Sequence, residues 1–232
     1  MSGAAAPVVL LDLDGTLTDS YPGIASSVRA AYAALGLPVP DDATLRRFVG
    51  PPLGDSFAAH GVPAARVAAA VEAYRVAFRA GGMWDNSVYA GVPAQLTALR
   101  TAGVRLAVAT SKPEVFAVPI CERLGLAASV EHVVGAPLDA PSTKAEVVAD
   151  ALARLADAAA VDRSRTLMLG DRHHDVTGAR AHGIDCVGVG WGYGDEDELR
   201  GAGAVEVVRD VACLAQRLLR RLGVPAVAPP DP

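Results

Sequence analysis

Five short runs of the chain are rich in Val, Ile or Leu and show no polar alternation: Val8 to Asp12, Val104 to Thr110, Val130 to Val134, Thr166 to Gly170 and Ile184 to Val189. Such runs suit strands covered on both faces, as in a parallel sheet. Helical spacing fills most of the intervals. Pro93 to Ala102 and Pro113 to Leu124 each begin near a proline and stop at Gly103 and Gly125, and Thr143 to Ala156 and Asp175 to Ala181 predict two further helices. Strand–helix alternation predicts an α/β fold built on a doubly wound parallel sheet. One interval breaks the rhythm. From Ser20 to about Asn86 apolar residues recur at helical spacing over Ile24 to Leu35, Asp42 to Phe48 and Ala64 to Ala80, with Gly36, the "VGPPLG" stretch (Val49 to Gly54) and Gly81-Gly82 as punctuation. The pattern predicts an all-α subdomain at 20–86 inserted into a core of 1–19 and 87–225, with a disordered Pro-rich tail at 226–232.

Composition narrows the partners. Of the 232 residues 51% are hydrophobic and 20% charged, which is globular, and the net charge of -5 gives no footprint for a nucleic-acid polymer. Apolar stretches are too short, or too interrupted by Arg and Glu, to span a bilayer, and "MSGAAAP" does not read as a signal peptide. Cys121, Cys186 and Cys213 are odd in number and widely spaced, which fits reduced, packed thiols of a cytoplasmic protein. In this Arg-rich chain the only lysines are Lys112 and Lys144, two positions that point to a need for a compact ammonium.

In a parallel α/β sheet, ligands bind beyond the carboxyl ends of the strands. Those ends carry Asp12 and Asp14, then Thr110-Ser111-Lys112, then Gly170-Asp171 with Asp175 a helical turn on, then "GWGYG" (Gly190 to Gly194); Lys144 starts a helix. Acids, a hydroxyl and a lysine converge on one edge. His173 and His174 are helical neighbours expected to point apart, at the surface or around the acids. Trp191 and Tyr193 either edge the site's mouth or pack their own loop.

"DLDGTLTDS", "VATSKP", Lys144 and "GDRHHDV", in that order, resemble the four motifs of the haloacid dehalogenase superfamily. The helical insert resembles that superfamily's small α-helical cap on a Rossmann-like core. "FVGPPL", "YAGVPAQLTALRTAG" and "GVGWGYG" are similar to the phosphoglycolate phosphatase-like members. The resemblance implies a Mg²⁺-dependent phosphatase acting on a small phosphorylated metabolite. Asp12 would be the nucleophile, forming an aspartyl-phosphate, and Asp14 the acid that protonates the leaving oxygen and then activates water. Asp12, Asp171 and the Asp14 carbonyl would hold Mg²⁺, with Asp175 binding through water or orienting the ligands. Thr110 and the Ser111 amide would hold phosphoryl oxygens, Lys144 would neutralise charge, and Gly15 would permit the tight turn. In the helical insert, Arg47 either faces substrate or is solvated.

Other functions fit less well. A dehalogenase leaves Asp14, Asp171 and Asp175 unexplained. A phosphonate hydrolase of this kind needs a cap lysine, and no lysine lies between Ser20 and Asn86. A sugar phosphomutase would carry a cap histidine where "SYPGIASS" has none. Pyrophosphate or a nucleoside 5'-monophosphate replaces phosphoglycolate without changing a core residue. A non-catalytic phosphate-binding module would have lost one of these residues, and all are present. A monomer or homodimer is expected.

Overall fold

The computed structural model describes residues 5–225, so the tail expected at 226–232 lies outside the described residues. The chain divides into two compact units, one of residues up to Leu17 together with Val88 onward, the other Thr18–Ser87. The sequence boundary of 20–86 falls two residues inside the first junction and one inside the second.

In the larger unit six strands form one sheet: β1 (Val8–Leu11), β4 (Arg105–Pro113), β5 (His132–Ala136), β6 (Thr166–Gly170), β7 (Asp185–Val189) and β8 (Glu206–Val208). Their order is β5-β4-β1-β6-β7-β8 and every pairing is parallel. The chain winds outward from β1 to β4 and β5, then returns to β1's other side for β6, β7 and β8. The carboxyl end of β1 is therefore the switch point where ligands gather. Val8, Leu10, Ala107, Ala109 and Met168 pack into one cluster with residues of α7 (Lys144–Ala158) and α8 (His173–Arg180). Val9, Leu11, Leu106 and Val108 alternate with these and are as fully buried, so both faces are covered.

Three features depart from the sequence reading. β4 runs on to Pro113, and its register with β5 breaks between Thr110 and Pro113, so Ser111 and Lys112 leave the ladder without starting a helix. The edge strand β8 has three residues and opens on a charge, too little for a pattern. The helices α9 (Glu196–Ala202) and α10 (Leu214–Arg221) carried legible signals, an Asp195 side chain capping the Glu198 amide and leucines at 214, 218 and 219.

The helical unit holds α1 (Tyr21–Ala34), α2 (Asp42–Arg46), α3 (Leu53–Ala59) and α4 (Val67–Ala80). Its core packs Tyr32, Phe48 and Phe57 edge-on or tilted, with ring centroids 5.2 to 6.3 Å apart. Here α3 corrects the reading of "VGPPLG" as punctuation alone: Pro52 is extended and Leu53 begins a helix that continues through Gly54. Short strands β2 (Thr18–Asp19) and β3 (Ser87–Val88) pair where the chain leaves and re-enters the larger unit. No described helix is long and apolar enough to cross a membrane.

One ion pair braces the sheet edge. Arg105 donates from Nε to Glu131 at 2.9 Å, from Nη2 to the Leu155 carbonyl at 2.8 Å and from Nη1 to the Ala159 carbonyl at 3.1 Å. Those bonds hold the Glu131 carboxyl below its ordinary 4.5. A folded value below the unfolded one contributes stability above about pH 4.5, which fades as pH falls through the folded value. Arg105→Met is expected to cost about 1–2 kcal/mol at pH 7, a modest figure because Glu131 is partly exposed. Urea melts near pH 7 and again below about pH 4 check this: the deficit should shrink in acid without vanishing, since the carbonyl bonds do not titrate.

Candidate active site

The ladder carries Asp12 one residue past β1, its amide donating to the Leu169 carbonyl at 2.9 Å. The chain then turns, with the amides of Thr16 and Leu17 both returning to the Leu13 carbonyl. Gly15 has φ of +84°, and a Cβ there would lie 2.2 Å from Asp171 Oδ2. Only glycine meets both conditions. The Thr16 hydroxyl donates to Asp171 Oδ1 at 3.3 Å, which joins the first turn to the end of β6.

Lys144 is the first residue of α7, held there by a capping box in which Thr143 and Glu146 satisfy each other's amides. Its Nζ lies 2.6 Å from Asp12 Oδ1 and 2.7 Å from Asp175 Oδ1. The lysine stem passes over Gly178 of α8, where a Cβ would come within 2.8 Å of Lys144 Cγ. The other lysine, Lys112, places Nζ 3.0 Å from Asp14 Oδ2. Asp14 Oδ1 is buried with no hydrogen-bond partner. Thr110 is buried, and its Oγ1 accepts the Lys112 amide at 3.2 Å; Ser111 follows it, half-buried.

The loop after β7 wraps Asp171. The Tyr193 amide donates to Asp171 Oδ2 at 2.8 Å, and the Trp191 indole donates to the Thr16 carbonyl at 3.1 Å. A Cβ on Gly192 would come within 2.3 Å of Asp171 Cβ. The loop is thus tied to Asp171 by the Tyr193 amide and to the first turn by the Trp191 indole. Asp175 Oδ2 accepts the Arg172 amide at 3.1 Å, so α8 holds its own acid.

Asp12, Asp171 and Asp175 each offer an oxygen within 4.8 Å of the others, and all three are buried. Burial, reinforced by Asp175 and Asp14, pushes Asp12 up to about 7 against the pull of Lys144. Burial followed by Asp175 and Asp12 raises Asp171 well above the ordinary carboxylate range, against the Tyr193 amide. Lys144 is held above its usual value: the two aspartates outweigh its burial. Four carboxylates share this edge with two lysines, which leaves two negative charges when all are ionised. Hard oxygen donors in surplus fit a divalent cation such as Mg²⁺.

Arg47 is exposed at the end of α2 in the helical unit, beside Arg46, whose guanidinium stands 4.4 Å over the Tyr21 ring. His173 and His174 touch, ring centroids 3.7 Å apart, contrary to the expectation that they point apart. Glu198 of α9 accounts for this by drawing in the His173 ring and amide and the Arg172 guanidinium. Burial would raise Glu198, but those donors hold it at about 2. Burial pushes the Cys121 thiol up to about 12 and Cys186 well above its ordinary value, and all three cysteines are free.

The family model of haloacid dehalogenase-like hydrolases matches residues 9–189. A protein described as a 5'-nucleotidase of Pseudomonas aeruginosa is 42% identical over 213 residues, 91% of this chain and 95% of that one. The tyrosine-protein kinase PtkA of Mycobacterium tuberculosis is 46% identical over 84% of this chain and 66% of its own length. A phosphoglycolate phosphatase of Rhodospirillum rubrum is 36% identical over 90% of each chain. The crystal structure of a "predicted phosphatase" from Clostridium acetobutylicum superposes with a TM-score of 0.86 at 39% identity, over 94% of this chain and all of that one.

Proposed function

The chain belongs to the haloacid dehalogenase-like hydrolases, and from that premise we propose that it is a Mg²⁺-dependent phosphatase that cleaves a small phosphomonoester through a phosphoryl group carried on Asp12. The observation that supports this reading most is the arrangement around Asp12. A buried carboxylate stands at the switch point with an ammonium 2.6 Å away and two further acids within metal-binding reach.

Asp12 attacks phosphorus, and the ester P–O bond breaks. The leaving oxygen takes its proton from Asp14 and departs as an alcohol. Water then attacks phosphorus and gives a proton back to Asp14, the bond to Asp12 breaks, and inorganic phosphate leaves. Thr110 and Ser111 hold phosphoryl oxygens, Gly15 lets the backbone approach them, and Lys144 offsets charge on the nucleophile and the phosphoryl group. Asp12, Asp171 and Asp175, with the Asp14 carbonyl, would hold Mg²⁺, which supplies charge neutralisation at the phosphoryl oxygens when bound.

Phosphoglycolate is the first substrate of this reading. A nucleoside 5'-monophosphate is the second, favoured by the nucleotidase relative that covers nearly all of both chains. The test is phosphate release from phosphoglycolate, nucleoside 5'-monophosphates, pyrophosphate, a sugar phosphate and an aryl phosphate, with Mg²⁺ and after chelation. Release should require the metal, and a preference above about 10²-fold in kcat/KM names the substrate. Transfer from ATP to a tyrosine peptide with no release from any ester contradicts the phosphatase reading.

A further inference from the structure

The reaction proposed above asks something specific of Asp14. One of its oxygens must be free to exchange a proton, and the side chain must not swing away from the reacting bond. The surroundings of Asp14 meet both needs in an asymmetric way. Oδ2 is bound by Lys112 at 3.0 Å, with the two side chains 12% and 5% exposed. Oδ1 is buried and has no hydrogen-bond partner. The lysine itself is anchored. Its amide donates to Thr110 Oγ1, and the register break between Thr110 and Pro113 lifts it out of the β4–β5 ladder. Gly135 permits the close approach of that segment, since any Cβ there would come within 2.6 Å of the Lys112 carbonyl and the Glu114 backbone.

The choice of lysine has a physical reason in a chain that uses arginine almost everywhere else. An ammonium is a point charge and can satisfy one carboxylate oxygen alone. A guanidinium is a planar fork that tends to take both. Both lysines of the sequence stand in this cluster, Lys144 on Asp12 and Lys112 on Asp14.

We propose that Lys112 is a positioning residue that pins Asp14 Oδ2 and so leaves Oδ1 as the oxygen that exchanges the proton. The inference rests on the phosphatase reading. When the ester P–O bond breaks, its electron pair stays on the leaving oxygen, which receives the proton from Oδ1. In the second half the proton lost by water returns to Oδ1. Lys112 forms no bond to substrate in either step.

Leaving-group dependence tests it. An alkyl phosphate departs as a strong base and needs the proton; dinitrophenyl phosphate departs as a weak base and does not. kcat/KM is measured with Mg²⁺ on the best alkyl phosphate of the substrate panel and on the dinitrophenyl ester, for wild type, Lys112→Met, Asp14→Asn and the double variant. Lys112→Met should lower the alkyl value by about 10²-fold and the aryl value less than about threefold. In the Asp14→Asn background it should add nothing, because the residue it positions is already disabled. Lys112→Gln, which keeps a donor without the charge, gives the same split at smaller amplitude where Met does not fold. Equal losses on both esters, no loss on either, or an added loss on Asp14→Asn overturns the proposal alone. A wild-type chain without Mg²⁺-dependent release from either ester overturns the phosphatase reading and this inference with it.

Discussion

Asp12→Asn is expected to lower kcat by on the order of 10⁴-fold or more, the size of effect seen when a covalent nucleophile is removed. The amide keeps the shape and both hydrogen-bonding positions but has no anionic oxygen to give to phosphorus. The fold should survive. Burial already pushes the Asp12 carboxyl up to about 7, so a neutral group at this position is no stranger to its surroundings. Lys144 keeps Asp175 as a partner at 2.7 Å. Circular dichroism should therefore show a native chain. Acid quenching of wild type with labelled substrate should trap a phosphoryl group that the variant lacks. A variant that turns over within tenfold of wild type places the nucleophile elsewhere.

What the sequence showed, and what it hid, follows from the range of the interactions. The apolar runs of β1, β6 and β7 were legible because each residue meets apolar neighbours on both faces, so composition alone betrays the strand. Asp12, Asp14, Asp171 and Asp175 were legible because each follows such a run within a few residues, and a strand's end is a local feature. The bonds among them were not. Trp191 reaches the Thr16 carbonyl across 175 positions of sequence, and Thr16 reaches Asp171 across 155. Nothing local to Trp191 separates a residue that packs its own loop from one that braces the first turn. Lys112 was singled out by scarcity, but its partner depends on a register break that no periodicity reports. Helix α3 was hidden for a different reason: Pro51, Pro52 and Gly54 are turn residues by propensity, yet Pro52 stands just before the first turn, where a missing N–H costs nothing. Where tertiary contacts decide, local chemistry names the participants and leaves the pairing open.

Lys144→Met should produce the largest combined loss of stability and rate. In the wild-type chain one ammonium lies within 2.7 Å of two carboxylates at a site only a few per cent exposed. Removing it leaves Asp12 and Asp175 facing each other in a low dielectric, an arrangement that costs about 3–5 kcal/mol when one member of a buried pair is deleted. Two routes relieve that cost. One is protonation of Asp12, whose carboxyl burial already raises to about 7. The other is a divalent cation bound by Asp12, Asp171 and Asp175. Mg²⁺ should therefore raise the melting temperature of Lys144→Met by more than it raises that of wild type, because it then supplies the countercharge to Asp12 that Lys144 gave. The rate should not recover with the fold. In the proposed reaction Lys144 also offsets charge on the phosphoryl group, and loss of a preorganised cation of this kind lowers kcat by about 10²–10³-fold. Thermal melts with and without Mg²⁺, beside kcat at saturating metal, separate the two roles. A variant with wild-type stability in chelator and kcat within tenfold makes Lys144 an ordinary helix residue and removes the electrostatic basis of the site.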